Sequence, residues 1–162
     1  MTDVTRSIFA MFTLAAFALL APATSLLAQS DPAVGTWELN VAKSRYSPGP
    51  PMKSQTITIT TVGNRTRVVA KGVDGNGKPT ATEYTAPYDG TDVPVMFNLV
   101  YDALSLKRID RNNAEVVRKK GGKVVQTARR SVSEDGKTLT ITTSGVDDRG
   151  RKVDNVAVYD RR

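Results

Sequence analysis

Two hydropathy patterns divide the chain. From Ile8 to Leu20 apolar residues run almost unbroken, whereas from Ser54 onward they alternate with polar ones. Alternation at period two sends successive side chains to opposite faces of an extended strand, so one face is buried and the other wet. Gln55-Thr56-Ile57-Thr58-Ile59-Thr60 shows it most clearly, and Thr80, Thr82, Tyr84 and Ala86 share one face of the 79–87 segment. Leu104 and Leu106 stand opposite Ser105 and Lys107 in the same way. Turn chemistry separates these segments at Gly63-Asn64, Asp74-Gly75-Asn76-Gly77, Asp89-Gly90-Thr91-Asp92, Asp110 to Asn113, Gly121-Gly122, Glu134 to Lys137 and Asp147 to Gly150. Gly, Asn and Asp tolerate the positive φ that tight hairpins need. With an opening strand at 34–40, the pattern predicts about ten strands at spacings of about ten residues. No segment carries a helical period.

Short hairpins in series make an antiparallel meander. A meander of this length either leaves two open edges or curls until the edges meet, and closure removes the unpaired backbone that invites aggregation. The predicted fold is therefore all-β, an antiparallel up-and-down barrel of about 8–10 strands. A two-sheet sandwich is the alternative.

The opening strand, Val34-Gly35-Thr36-Trp37-Glu38-Leu39-Asn40, holds the one tryptophan in the chain. A buried indole removes about 150–250 Å² from water, so Trp37 is expected to plug one end of the domain. The connector 41–53 that follows has room for one helical turn before Ser47-Pro48-Gly49-Pro50-Pro51 stops it, since proline lacks the donor and fixes φ. The apolar run at 8–20 follows Arg6 and leads into Ala21-Pro22-Ala23-Thr24-Ser25, the order of a secretory signal peptide. It falls short of the roughly 20 residues a membrane span needs. Cleavage is expected after Ala28 in preference to Ser25, leaving 29–162 as a single domain in the periplasm or outside the cell, with no transmembrane segment.

Composition narrows the chemistry. The 162 residues include no Cys and no His. Disulfides, thiolate metal sites, the usual neutral-pH general base and the commonest metal ligand are all removed. No paired carboxylates or other catalytic constellation replaces them, so no enzyme, metal or cofactor is expected. Acidic pairs at Glu134-Asp135 and Asp147-Asp148 sit in Gly- and Lys-rich turns, where turn chemistry accounts for them. The net charge of +7 favours anionic partners such as lipid headgroups or acidic polymers. Its scatter, with few aromatics interleaved, does not fit nucleic acid. A faint echo relates Lys71-Gly72-Val73-Asp74 with Gly77-Lys78 to Ser144-Gly145-Val146-Asp147 with Gly150-Arg151.

Gly35-Thr36-Trp37 at the head of a barrel-like meander resembles the calycins, the group of lipocalins, fatty-acid-binding proteins and avidins. Gly122-Lys123, Glu134-Asp135-Gly136-Lys137-Thr138-Leu139-Thr140 and the closing Val158-Tyr159-Asp160-Arg161 look like the last hairpins of the fatty-acid-binding barrel. The resemblance covers about residues 33–161 and extends to small secreted bacterial proteins described only as lipocalin-like. It implies a Trp floor with a basic residue of the last strand packed across it, here Arg161. It also implies a small apolar or amphipathic ligand inside, held by a monomer. Two departures stand out. Ala157 occupies the place of the arginine that family members set two residues before the terminal tyrosine, and the connector cannot supply their helical lid. An anion therefore needs another interior base, and Arg129 and Arg130 are the candidates. Val124, Ala128 and Val132 share a face with Arg130, while the family alignment turns Arg129 inward; the two arguments disagree. The predicted ligand-binding set is Trp37, Tyr84, Leu104, Leu106, Arg129, Arg130 and Tyr159. The competing reading is a scaffold whose basic exterior binds an anionic envelope surface.

Overall fold

The computed structural model describes residues 30–162, so the predicted leader and its cleavage point lie outside the described residues. Ten strands follow one another: β1 (Gly35–Leu39), β2 (Ser54–Val62), β3 (Arg65–Val73), β4 (Pro79–Ala86), β5 (Asp89–Pro94), β6 (Ala103–Arg108), β7 (Asn113–Lys120), β8 (Lys123–Val132), β9 (Thr138–Val146) and β10 (Lys152–Arg161). All pair antiparallel in one sheet of order β4-β3-β2-β1-β10-β9-β8-β7-β6-β5. First and last strands meet, with Trp37 opposite Arg161 and Leu39 opposite Tyr159. The sheet curls into a nearly closed barrel. Between β4 and β5 the ladder is missing, and a single bridge of Glu83 with Met96 spans the seam. Of the prolines that bound the predicted 79–87 segment, Pro79 opens this seam strand, where a missing donor breaks no second ladder, and Pro87 follows its end at Ala86.

One expected turn is part of a strand. Asp89-Gly90-Thr91-Asp92 opens β5, and the register against β6 slips between Asp89 and Asp92. Gly90 at φ 87° allows the irregularity, so turn-forming residues here build a bulge. The connector between β1 and β2 holds one short 3₁₀ turn, Val41–Lys43, and no helical lid.

One end of the barrel, the floor, carries the chain start and the turns after β2, β4, β6 and β8. The other, the rim, carries the 40–53 connector, the β5–β6 loop and the turns after β3, β7 and β9. Trp37 is fully buried at the floor, and its Nε1 donates to the Ala33 carbonyl at 2.9 Å. The Arg161 guanidinium lies 4.1 Å from the indole centroid, as the resemblance implied. Its nitrogens donate to the carbonyls of Pro32 at 2.6 Å, Val34 at 2.9 Å and Gly136 at 2.5 Å. Gly35 lies beside it at φ 144°, where a side chain would be strained, and a Cβ there would stand 2.4 Å from Arg161 Nη1. Two core clusters fill the walls, one around Trp37, Ile59 and Leu139, the other around Ala86, Leu104 and Leu106.

The internal echo has a local explanation. Asp74 and Asp147 each accept two backbone amides on Oδ1 and close the same turn at the rim, with Gly77 and Gly150 donating back to the aspartate carbonyl. Asp147 Oδ2 is taken by Arg151 Nε at 2.8 Å. Both aspartates are turn builders. Two residues upstream, Gly72 faces Gln55 and Gly145 faces Gln126 across the ladder. A Cβ on Gly145 would meet the Val125 carbonyl at 2.2 Å, whereas one on Gly150 meets nothing within 4 Å. Both glycines have positive φ, so their alanine variants share the backbone penalty and differ in the clash. In urea unfolding, Gly150→Ala is expected to cost about 1 kcal/mol. Gly145→Ala is expected to cost a further ~1–3 kcal/mol from overpacking.

Candidate functional site: the barrel interior

A cavity of about 300 Å³ runs between the two core clusters up to the rim. Its apolar wall comes from inward positions of β2, β3, β9 and β10, namely Ile57, Ile59, Val68, Ala70, Ile141 and Ala157. Thr80, Thr82 and Tyr84 of β4 line the opposite side, as their shared face predicts. Tyr46, Met52, Asp74, Asn98 and Asn155 surround the opening.

Two arginines reach this interior. Arg130 is 5% exposed and points inward with Ala128 and Val132. The alternation argument therefore decides between the neighbours. Arg129 lies on the outer face, exposed, where its Nε donates to Asn113 Oδ1 at 3.3 Å. Val124 alone leaves the pattern, because the β7–β8 register skips one residue between Gln126 and Val124. Arg130 Nη2 donates to the Tyr88 hydroxyl, which donates at 2.5 Å to Asp31 Oδ2. Asp31 also accepts from Arg108 Nη2 at 2.8 Å and, on Oδ1, from the Ala33 amide at 2.9 Å. Arg118 comes from β7, where it continues the inward row of Ala114 and Val116. Its Nη1 donates to Gln126 Oε1 at 2.9 Å and more weakly to Thr143 Oγ1 at 3.4 Å, and it lies 5.1 Å from the Tyr101 ring. Gln126 is oriented by its own bond from Nε2 to the Val146 carbonyl at 3.0 Å.

Neither guanidinium is fully satisfied. Arg130 Nη1 and Arg118 Nε are buried without a partner, as are the Tyr46 hydroxyl and Thr80 Oγ1. Arginine keeps its charge in any protein environment, so the interior is cationic. Among the described residues lining the cavity, Asp74 is the sole acid, and it sits at the rim in its own turn. A buried charge with open donors is costly unless an acceptor arrives. Burial pushes the Tyr84 and Tyr46 hydroxyls up to about 12 and raises Tyr159 as well. Neutral phenols, two guanidiniums and an aliphatic wall make a site for holding a molecule.

Three predicted site residues, Tyr84, Arg130 and Tyr159, line the cavity, and Tyr159 donates to Gln55 at 2.5 Å. Four do not. Trp37 forms the floor, and Leu104 and Leu106 lie in the second core cluster, packed too tightly to face open space. Arg129 is outside. Sequence reasoning missed Arg118, which reads as the head of the basic run Arg118-Lys119-Lys120. The two-residue step from Ala114 and Val116 was the signal that marks it as inward.

No family model matches this sequence, and no curated protein matches it. Among solved structures, zebrafish ileal bile acid-binding protein, crystallised with cholic acid, superposes with a TM-score of 0.50 at 10% identity. The match spans 81% of this chain and 99% of that one. The fold is that of the calycins. At such identity the likeness concerns the backbone alone.

Asp31 ties the floor to this interior. Burial works against its ionisation, but the bonds from Arg108, Tyr88 and the Ala33 amide outweigh burial and hold its carboxyl below the usual carboxylate range. A depressed folded-state pKa stabilises the protein above the unfolded value, and that contribution fades as pH falls through the folded one. Asp31→Asn is expected to lose about 1.5–3 kcal/mol at pH 7, the worth of hydrogen bonds to a charged group. The gap in thermal unfolding between the two proteins should narrow as the solution is acidified and Asp31 takes up its proton.

Proposed function

We propose that this calycin barrel binds a small amphipathic molecule, its apolar body against Ile57, Ile59, Val68 and Ile141 and its acidic head toward Arg118 and Arg130. The reading rests above all on the buried, unpartnered Arg130 Nη1 and Arg118 Nε facing the same cavity. A volume of about 300 Å³ stands at the lower end of ligand sites, enough for a short or compact amphiphile. An acidic head would complete the donors that the protein leaves open. The cholic acid named with the zebrafish protein, a carboxylate on an apolar skeleton, belongs to the same chemical class. The leader-like run at 8–20 supports export, with the barrel acting as a periplasmic or secreted carrier.

The test is uptake of a fluorescent fatty acid and of its neutral alcohol by the barrel beginning at residue 29. Wild-type protein is expected to prefer the acid. Arg130→Met and Arg118→Met should each weaken the acid about tenfold or more, as expected for a lost bond to a charged group, and leave the alcohol nearly unchanged. Equal binding of acid and alcohol by the wild type would remove the anionic head from the reading. No uptake of either would remove the ligand.

A further inference from the structure

The exposed apolar side chains of this barrel are not spread evenly. Of eight large ones among the described residues, five lie at or near the rim end, Val41, Phe97, Leu99, Val124 and Val146, and Met96 sits on the outer wall at the β4–β5 seam, bridged to Glu83. Met96, Phe97 and Leu99 are 54%, 68% and 86% exposed and share the β5–β6 loop. That loop is tied down at several points. Asn98 donates to Thr82 Oγ1 at 3.0 Å and accepts the amides of Val100 at 2.9 Å and Tyr101 at 3.2 Å. Met96 is fixed to Glu83 through both backbone bonds of the bridge, at 2.9 and 3.2 Å. Phe97 sits at φ +61°, a strained conformation for a bulky residue, and its ring stands on the outer face beside Lys71 and Ala81. The loop spends strain and hydrogen bonds to hold apolar groups in water.

Charge is divided between the ends in the same sense. The rim segments 40–53, 71–79, 94–103, 119–124 and 146–152 carry eleven Lys and Arg against four Asp and Glu. The floor segments 30–36, 62–66, 86–90, 107–113, 132–138 and 159–162 carry seven against six. The net positive charge therefore sits almost wholly on the end where the apolar loop projects and the cavity opens.

We propose that the rim is a docking surface for an anionic lipid bilayer, with Phe97 and Leu99 entering the headgroup–acyl boundary and the rim lysines and arginines resting on the headgroups. Projecting apolar side chains ringed by basic ones suit such an interface: the apolar area enters the hydrocarbon edge while the charges stay at the anionic surface. An acidic protein partner would satisfy the charge, but the exposed side chains of Phe97 and Leu99 on one loop offer too little apolar area for a standard protein interface. The inference stands apart from the ligand reading, because it uses the exterior only. Together they place the cavity mouth against the membrane.

The experiment is flotation of the barrel beginning at residue 29, which holds every strand and both core clusters, with lipid vesicles. Binding is expected to vesicles with about a third phosphatidylglycerol and not to pure phosphatidylcholine, and to weaken between about 0.05 and 0.5 M salt. Phe97→Ser with Leu99→Ser should reduce affinity at least tenfold while leaving the thermal unfolding midpoint in place, since both side chains are exposed. Lys78→Glu with Lys123→Glu should reduce it as well. The added indole of Leu99→Trp should shift its emission to the blue on the anionic vesicles. No flotation at low salt would overturn the proposal and leave the rim to an acidic protein. Unchanged binding by the Phe97/Leu99 variant would overturn the role of the loop. Failure of ligand uptake alone would leave this proposal standing.

Discussion

The contact on which the barrel depends is the Arg161 guanidinium lying across Trp37. The last strand and the first meet there, and the same side chain ties the chain start at Pro32 and Val34 to the β8–β9 turn at Gly136. A cation held 4.1 Å above an indole and bound to three carbonyls closes the circle that ten strands open. Gly35 leaves room beside it. With the floor sealed in this way, the interior can stay hollow higher up, because the burial that holds the sheet together is concentrated below and beside the cavity.

The second constraint is electrostatic. Two arginines inside a barrel are a liability, and the protein offsets it only in part. Arg130 leans on Tyr88 and, through it, on Asp31; Arg118 leans on Gln126 and the face of Tyr101. Each keeps one donor open. The proposed acidic head would complete these donors, in contrast to the rim aspartates, whose Oδ1 atoms are taken by their own turns.

Much of this was legible in the sequence. Alternation and turn residues yield ten antiparallel strands, and a lone tryptophan after glycine yields the floor, because burial of one strand face and positive φ in turns are local requirements. What was not legible depends on register between distant strands. Leu104 and Leu106 alternate as inward residues should, yet whether an inward residue meets space or a neighbour is a matter of three-dimensional packing. Arg118 was hidden in a basic run, where composition outweighed phase. Asp89 to Asp92 has the chemistry of a turn and builds a bulge, a distinction set by the partner strand. The anchoring of Asp31 by Tyr88 and Arg108 spans separations of 57 and 77 residues, beyond any local pattern.

The seam between β4 and β5 has a dynamic consequence. Nine of the ten junctions around the barrel are ladders, and the tenth rests on the two backbone bonds between Glu83 and Met96. Free energies of local opening follow the number of bonds and buried contacts that must break together, so this seam is the first place where the wall parts. Its amides should exchange with solvent far sooner than those of β9 and β10. The barrel thus behaves less as a rigid can than as a sprung cuff, whose girth adjusts at one slit while the floor stays clasped.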